Sequence, residues 1–387
     1  MPLKETQPIK ILHLISTLDV GGAEKNLCRL VCSMDNASYT SVVVSMTDVG
    51  PVGKKIMENE FPVHALNMKK GFPDPRGIYH LKKLVSHYQP DIIQCWMYHA
   101  NLFGLLFCHK RPLVWNIRCS DMDLSRYGFV YKYTVKAGAF FSKIPDVVIA
   151  NSFAGKEFHE RLGYNPRRWE VFTNGFDTDL FRFDKGSGKQ IRLESGISMT
   201  APVIGLIARF DPMKDHATFI NAACLLLKTH PDAHFVLAGK NIETKNQSIM
   251  KHLLEASQRD HFHLLGQRDD IPQIISALDI STSSSWGEGL PNTIGEAMAT
   301  GIPCVVTDAG DSRELVGDTG VVVPTRDPAA LCDAWVKLIE AGVDVRREMG
   351  IRARNRIEKH FSLDTAVESY QDLYQKIITA TMQKKTA

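Results

Sequence analysis

The stretch between residues 280 and 307 limits the possible folds more than any other part of the chain. An apolar run over 280–283 leads into a polar, glycine-rich turn, and apolar residues then recur at helical spacing over 292–300. Gly301 predicts the end of that helix, and 304–307 is a second apolar run. Strand, loop, helix and strand in this order are typical of a parallel α/β sheet. Ligands of such sheets bind outside the carboxyl ends of the strands, where the amides of a helix start meet anionic groups.

The same alternation of short apolar runs and amphipathic helices extends along the chain. The predicted strands are 9–15, 41–46, 63–66, 92–96, 113–117, 147–150 and 169–172 in the first half, and 203–208, 234–238, 261–265, 280–283 and 304–307 in the second. The predicted helices are 23–32, 78–88, 100–109, 154–162, 215–230, 272–277, 292–300, 329–341 and 365–381. This alternation indicates parallel sheets that are covered by helices on both faces.

A polar, glycine-rich run over 182–189 interrupts the alternation and predicts an inter-domain linker. We therefore expect an α/β protein of two Rossmann-like, doubly wound domains that face a central cleft. The first domain would cover 1–180 and the second 181–364, and a C-terminal helix over 365–387 would pack back on the first domain.

The composition excludes several classes of protein. The 387 residues carry a net charge of only +3, which does not favour nucleic acid as a partner. The eight cysteines form no CxxC pair and resemble the small core residues of a reduced cytosolic protein. The first residues contain no apolar leader, and no apolar stretch is long enough to span a bilayer. We expect a cytoplasmic protein.

A family resemblance emerges from the turn at 284–298. Glu288 and Glu296 form an E-x7-E pattern around the sequence Gly-Leu-Pro-Asn, which resembles the signature of the GT-B glycosyltransferases of family GT4. Other landmarks follow in that family's order: Gly21-Gly22-Ala23-Glu24, His99, Asn151-Ser152, Asn174-Gly175-Phe176-Asp177, Arg209 and Lys214. The segments 96–101 and 310–312 are similar to members that build bacterial surface polysaccharides, lipopolysaccharide among them. The resemblance covers nearly the whole chain.

The two glutamates have separate predicted roles. Asn292 and Glu296 are four residues apart and share a helix face, while Ile294, Ala297 and Met298 face the sheet. The resemblance implies that Glu296 holds the nucleotide ribose and that Glu288 faces the hydroxyls of the donor sugar. The alternative is that Glu288 caps the helix and Glu296 is a solvated surface residue.

The residues between the glutamates also belong to the predicted donor site. The backbone amides of Gly289, Leu290 and Asn292 lie at the helix start, where a diphosphate or a sugar hydroxyl could use them. Pro291 lies in the same loop and has no amide hydrogen to offer.

Arg209 and Lys214 lie in a turn that leaves a buried strand. Two cations at the carboxyl end of a strand are placed to neutralise a diphosphate, Arg209 by its planar fork and Lys214 as a point charge. The alternative is an ordinary solvated loop in which Asp211 pairs with Lys214.

Four further residues complete the predicted site. Gly21 and Gly22 permit close approach of a phosphate or of the reacting sugar, although a purely conformational turn is the alternative. They are not part of a G-x-G-x-x-G pattern, so a nicotinamide site has little support. His99 is expected to contact the donor sugar, or else to pack as a structural residue. Gly266 opens the segment 266–270, which resembles the family's base-binding loop.

Two further sequence patterns bear on metal and membrane contacts. Asp121 and Asp123 form a DxD pattern, which binds a divalent metal in the other large glycosyltransferase fold, but we expect neither a metal nor a cofactor here. Basic and aromatic residues collect in the first half, at Lys54-Lys55, Lys69-Lys70, Lys82-Lys83, Arg111 and 126–133. They could rest on anionic lipid at the inner face of the cytoplasmic membrane, or they form a solvated charged face.

The resemblance therefore implies a metal-independent, retaining, hexosyltransferase-type glycosyltransferase. The donor would be a nucleoside diphosphate sugar, UDP favoured over GDP, and the acceptor would be a lipid-linked saccharide. A front-face mechanism is implied, in which the departing phosphate accepts the acceptor's proton. Other readings are a sugar-nucleotide epimerase or a phosphorylase, a glycosidase that uses two carboxylates, and a catalytically silent sugar-nucleotide binding protein.

Overall fold

The chain folds into two compact units, each built on its own parallel sheet. The computed structural model describes residues 7–69, 74–108, 111–118, 120, 128–255 and 259–386. Unit 1 contains the described residues up to Gly175 together with those from Leu363 onward, and unit 2 runs from Phe176 to Ser362.

Unit 1 contains a parallel sheet whose described strands follow the order β3-β2-β1-β4-β5-β6-β7. The strands are β1 Ile9–Ile15, β2 Tyr39–Ser45, β3 Val63–Ala65, β4 Ile92–Trp96, β5 Leu113–Ile117, β6 Val147–Ala150 and β7 Trp169–Val171. Every residue of β4, β5 and β6 is buried, because helices cover both faces of the sheet.

The helices of unit 1 surround this sheet. They are α1 Gly22–Ser33, α2 Gly50–Glu58, α3 Pro75–Tyr88, α4 Tyr98–Gly104, α5 Phe129–Phe141, α6 Phe153–Arg161 and the C-terminal helix Leu363–Thr386. The C-terminal helix buries Val367, Tyr370 and Tyr374 in one cluster with Leu27 of α1 and Trp96 of β4. This packing explains why the last helix belongs to unit 1, although it follows unit 2 in the chain.

Unit 2 repeats the plan with the described strands in the order β10-β9-β8-β11-β12-β13, all of them parallel. The strands are β8 Val203–Ile207, β9 His234–Ala238, β10 Phe262–Leu264, β11 Ile280–Ser283, β12 Cys304–Thr307 and β13 Val321–Val323. The edge strand β13 was not predicted, because three valines give too short a run to show a period.

The helices of unit 2 are α7 Lys185–Glu194, α8 His216–Leu226, α9 Gln247–Glu255, α10 Ile271–Ser276, α11 Asn292–Thr300, α12 Ser312–Val316, α13 Pro328–Glu340 and α14 Gly342–His360. With these introduced, the C-terminal helix is α15. Helix α11 has the predicted bounds. It ends where Gly301 takes a left-handed conformation with φ 84°.

The predicted linker over 182–189 is wrong, because α7 begins inside it and belongs to unit 2. Asp184 caps this helix by accepting hydrogen bonds from the Gly186 and Ser187 amides at 2.9 and 3.3 Å. Gly188 packs so closely on α10 that a Cβ atom there would lie 2.3 Å from the Ser276 carbonyl oxygen. The glycines that suggested a flexible linker therefore serve helix packing.

The α-helices formed by the described residues are five (α12) to 24 (α15) residues long. None of these helices has both the length and the apolar character needed to cross a lipid bilayer.

Candidate functional site

Two neighbouring strands of unit 2 bring most of the predicted site residues to one edge. Strands β8 and β11 pair directly, with Ile204 opposite Ile280. The loop after β8 carries Arg209 and Lys214, and the loop after β11 carries Glu288. Since parallel strands end at the same edge of a sheet, the cations and the carboxylate lie together there.

Asp211 organises the loop after β8. Its carboxylate accepts a hydrogen bond from the Met213 amide at 3.0 Å, which caps the short 3₁₀ helix Pro212–Lys214. The same carboxylate accepts hydrogen bonds from Arg209 at 3.1 and 3.2 Å. Burial raises the pKa of Asp211, but the hydrogen bonds from Met213 and Arg209 outweigh burial and lower it. The expected alternative partner, Lys214, makes its ion pair elsewhere.

Lys214 forms its ion pair with Glu288 across the two loops. The lysine Nζ lies in direct contact with Glu288 Oε1. Ser285 Oγ donates a second hydrogen bond to the same oxygen at 2.7 Å. The side chains of Lys214 and Glu288 are 21% and 10% exposed, so water screens this pair far less than a surface pair. The sequence predicted both residues for the site but gave no sign of their contact.

Backbone contacts hold the two loops together. The Trp286 amide donates to the Met213 carbonyl at 3.0 Å, and Trp286 Nε1 donates to the Pro212 carbonyl at 2.9 Å. Ser284 Oγ donates to the Lys214 carbonyl at 2.8 Å. Sequence analysis assigned no role to Trp286 or Ser284, because their partners are backbone atoms that no motif encodes.

A third loop, after β12, supports the backbone of the glutamate loop. Gly310 has φ 56°, and a Cβ atom there would lie 2.1 Å from the Glu288 carbonyl oxygen. The Asp311 amide donates to the Gly289 carbonyl at 2.8 Å. Leu290 is buried in the core of unit 2 and therefore anchors the loop to that core.

Helix α11 presents the faces that its sequence predicted. Ile294, Ala297 and Met298 are fully buried, whereas Asn292 and Glu296 are half-buried. Pro291 is the residue before the helix and accepts a hydrogen bond from the Ile294 amide at 3.2 Å. The predicted orientation of this helix is therefore confirmed.

Gly266 lies at the same edge, after β10. It has φ 70°, which favours glycine, and its carbonyl accepts a hydrogen bond from the Gly239 amide at 2.7 Å. Next to it, Arg268 Nε donates to Asp270 at 2.7 Å. The hydrogen bond with Asp270 raises the pKa of Arg268, and in return lowers that of Asp270.

The remaining predicted site residues, Gly21, Gly22 and His99, belong to unit 1. Gly21 precedes α1, and the Glu24 carboxylate folds over it, so that a Cβ atom at Gly21 would lie 2.3 Å from Glu24 Oε2. Burial raises the pKa of Glu24. Glu24 was predicted only as part of the Gly21-Gly22-Ala23-Glu24 motif, without a role of its own. The structure places its carboxylate at the start of α1, where a phosphate was expected.

His99 is the second residue of α4 and is half-buried. Its Nε2 lies 3.5 Å from Thr134 Oγ1 of α5, and its ring is tilted against Tyr131 at a centroid distance of 6.1 Å. Burial lowers the pKa of His99, which favours the neutral ring at pH 7. A neutral imidazole can accept or donate a hydrogen bond to a sugar hydroxyl.

Arg118 is a residue of unit 1 that the motifs did not single out. It follows β5 and donates to Asn116 at 2.9 Å and to the Tyr370 hydroxyl at 2.8 Å. Its guanidinium also lies 4.9 Å from the centroid of the Trp96 ring. Burial lowers the pKa of Arg118. Asn116 is a local partner on β5, whereas Trp96 lies on β4 and Tyr370 on α15, so only the folded structure reveals these two contacts.

The DxD residues Asp121 and Asp123, and the basic positions Lys70 and Arg126, lie outside the described residues. Among the residues that the structure describes, no group of three or more His, Cys, Asp or Glu side chains is arranged to hold a metal ion.

Comparison with known proteins identifies the family. Residues 20–180 match the profile of the family described as Glycosyltransferase Family 4, and residues 201–341 match that of Glycosyl transferases group 1. The chain belongs to glycosyltransferase family 4. All of the predicted site positions of this GT4 protein, from Gly21 to Glu296, fall inside the two matched segments.

Curated relatives of the GT4 protein include bacterial glycosyltransferases. The UDP-Gal:alpha-D-GlcNAc-diphosphoundecaprenol alpha-1,3-galactosyltransferase of Escherichia coli is 29% identical over 56% of this chain and 56% of its own length. The lipopolysaccharide core biosynthesis mannosyltransferase LpsB of Rhizobium meliloti is 27% identical over 54% of this chain and 61% of its own. The chain thus spans little more than half the length of these relatives.

Solved structures show the fold of the GT4 protein. The crystal structure of Anabaena Alr3699/HepE in complex with UDP superposes with a TM-score of 0.83, at 22% identity, over 95% of this chain and 100% of that one. Sucrose-phosphate synthase from Thermosynechococcus elongatus superposes with a TM-score of 0.77 at 16% identity, over 96% and 100%. The two parallel-sheet units therefore constitute the GT-B fold, as predicted.

Proposed function

We propose that this GT4 protein transfers a sugar from a nucleoside diphosphate donor, preferably a UDP-sugar, to a saccharide acceptor. The observation that carries the proposal is the contact between Lys214 and Glu288 at the edge where β8 and β11 end, with Arg209 in the same loop. A cation and a carboxylate held together suit a ligand that is anionic at one end and rich in hydroxyls at the other.

The donor would bind along the edge of unit 2. Arg209 and Lys214 would neutralise the diphosphate, and Glu296 would accept hydrogen bonds from the ribose hydroxyls. Glu288 would do the same for the transferred sugar. The backbone at Gly289, Leu290, Pro291 and Asn292 would line the path between them, and the loop at Gly266 would hold the base.

The transfer would retain configuration at the anomeric carbon. The bond between that carbon and the diphosphate oxygen breaks, and a bond to the acceptor hydroxyl oxygen forms on the same face. The leaving phosphate oxygen takes the acceptor's proton. Lys214 and Arg209 would stabilise the negative charge that grows on the leaving group, which is the largest single contribution in many enzymes. This scheme requires neither a metal nor a cofactor.

The acceptor would be lipid-linked. The name of the E. coli relative specifies an acceptor on diphosphoundecaprenol, and that relative is aligned over 221 residues. In unit 1, α5 exposes Phe129, Tyr133 and Phe140 at 73%, 57% and 81%. Lys136 and Lys143 lie beside them and are also exposed. An apolar face flanked by lysines suits contact with an anionic membrane, at its inner face if the protein is cytoplasmic.

Thermal unfolding with UDP, GDP and ADP, each with and without its sugar, tests the donor site. A nucleotide at one hundred times its dissociation constant adds about 2.7 kcal/mol to the stability of the folded state. We expect UDP to raise the melting temperature of the wild type and to act much less on Glu296→Ala. Glu348→Ala, on the exposed face of α14, is the matched control. If no nucleotide shifts the wild type, or if Glu296→Ala behaves like the control, the donor-site assignment fails.

Product analysis separates transfer from the other chemistries. Release of free UDP only when an extract of lipid-linked saccharides is present supports transfer. Conversion of the sugar nucleotide without any acceptor supports an epimerase, a need for inorganic phosphate supports a phosphorylase, and binding without turnover supports a silent binding protein.

A further inference from the structure

Unit 1 contains a large cavity that the proposed donor chemistry does not use. Its volume is about 860 Å³, within the usual range for small-molecule sites. It lies where β1, β2, β3 and β4 end, and α4 and α5 form its other walls. His99 is the only predicted site residue among its described lining residues.

The residues that line the cavity differ in polarity between its sheet side and its helical side. The sheet side supplies the hydroxyl groups of Ser16, Thr17 and Thr47, and Lys69 supplies an ammonium group at the end of β3. Met46 and Met68 also line this side of the cavity. This side of the cavity can therefore bind an anionic or hydroxylated group.

The helical side of the cavity is mostly apolar, and its polar groups are His99 of α4 and Thr134 of α5. Leu102 and Phe103 of α4, Leu106 just after it, and Val130 and Tyr133 of α5 line this wall. Three of these side chains are also exposed to solvent, Leu106 at 51%, Val130 at 52% and Tyr133 at 57%. The wall is thus continuous with the exposed apolar face of α5.

An occupant that satisfies both sides must be amphipathic. A hydrocarbon chain would gain about 25 cal/mol for each Å² of apolar surface that it buries on the helical wall. A phosphate group attached to that chain would lie toward the hydroxyl groups and Lys69, where charge-assisted hydrogen bonds stabilise it. Either component alone would leave one side of the lining without a matching partner.

We infer that this cavity binds the first isoprenoid units and the diphosphate of a lipid-linked acceptor. The inference rests on the proposed function, because it assigns a place to the acceptor of that transfer. The hydrocarbon tail of the lipid would leave the cavity between α4 and α5, toward the exposed apolar face of α5. His99, on the same cavity, would then lie next to the saccharide end of the lipid.

Equilibrium binding of farnesyl diphosphate, below the concentration at which it forms micelles, tests the inference. Ala137 lines the cavity from α5, and Ala137→Trp fills part of its volume. We expect this variant to raise the dissociation constant at least tenfold. Glu157→Trp introduces the same side chain at an exposed position of α6 that does not line the cavity, and it should leave binding within twofold of the wild type.

Two further measurements separate the parts of the ligand. Leu106→Lys, at a half-exposed position that tolerates charge, should weaken farnesyl diphosphate at least tenfold without disturbing the fold. Lys69→Ala should weaken farnesyl diphosphate but not farnesol. Inorganic diphosphate should bind at least a hundredfold more weakly than farnesyl diphosphate.

The inference is overturned if the wild type does not bind farnesyl diphosphate, if Ala137→Trp and Leu106→Lys both bind it like the wild type, or if inorganic diphosphate binds equally well. UDP binding, measured on the same samples, distinguishes this failure from failure of the proposed function. If the wild type does not bind UDP, the donor assignment is refuted. The binding of farnesyl diphosphate then tests the cavity independently.

Discussion

Lys214 and Glu288 are 74 residues apart in the chain and form a direct ion pair at the edge of the unit 2 sheet. Burial makes each of them depend on the other, because a half-buried charge without its partner retains the cost of desolvation. A diphosphate donor would compete with Glu288 for Lys214 and release the carboxylate toward the sugar. The pair therefore balances the two charges at this edge of the sheet.

We expect Lys214→Ala to lower donor turnover by about a hundredfold or more, since it removes a group that stabilises the leaving diphosphate. Glu288→Gln should lower turnover as well, and the double variant should lose less than the sum of the two single losses, in free energy, because the residues interact. Lys156→Ala breaks the surface pair with Glu160, whose charged atoms are 3.8 Å apart, and is the matched control. Turnover of Lys214→Ala within twofold of this control would contradict the assigned role.

Gly310→Ala should destabilise unit 2 and weaken nucleotide binding, because its Cβ atom would lie 2.1 Å from the Glu288 carbonyl oxygen. Gly196→Ala is the control: Gly196 has φ 68° but no atom within 4 Å of the added Cβ. The control should cost about 1 kcal/mol for the left-handed conformation. Gly310→Ala should cost about 1 to 3 kcal/mol more, for the forced shift of the neighbouring loop. Denaturant unfolding measures both variants, and equal losses would show that the close approach has no energetic consequence.

Phe140→Glu should reduce binding to vesicles of phosphatidylglycerol and phosphatidylcholine several-fold, because Phe140 is 81% exposed on the apolar face of α5. Phe153→Glu, at a phenylalanine of α6 that is 54% exposed, is the matched control. Cosedimentation at two salt concentrations measures the bound fraction, which should fall at higher salt as lysine contacts are screened. Equal binding by the two variants would refute the role of α5.

Local signals explain which elements the sequence predicted well. Pro291 and Gly301 bracket α11, and both act within one turn of the helix end, so its bounds were readable from neighbouring residues alone. Helix α14 was missed because its buried positions include Arg346, Gly350 and Ala353, which give no apolar period. A Cβ atom at Gly350 would lie 1.9 Å from the Gly301 carbonyl oxygen, a packing relation visible only in three dimensions.

For the candidate site, the position of the residues could be predicted from the sequence, but their contacts could not. Pairing of β8 with β11 follows from fold class, and it brings Arg209, Lys214 and Glu288 to one edge, as the order of strands and loops implied. The choice of partners could not be read from the sequence. Asp211 lies between both cations in the sequence, yet it pairs with Arg209 while Lys214 pairs with Glu288.

The stability of unit 1 should fall as the pH falls from about 6.5 toward 4, because its buried histidines resist protonation. His159 Nδ1 lies 2.6 Å from the Gly155 carbonyl and therefore carries the proton, so Nε2 accepts a hydrogen bond from the Tyr98 hydroxyl at 2.7 Å. Burial lowers the pKa of His159 to about 4. Below pH 6.5, His159 takes up a proton in the unfolded chain but not in the folded chain. The free energy of unfolding is therefore lower by about 2 kcal/mol at pH 5. Urea unfolding at pH 7 and pH 5 should therefore show a smaller acid loss for His159→Gln than for the wild type, by about that amount. His80→Gln, at an exposed histidine of α3, should lose as much as the wild type, and an equal loss in all three proteins would exclude His159 as the cause.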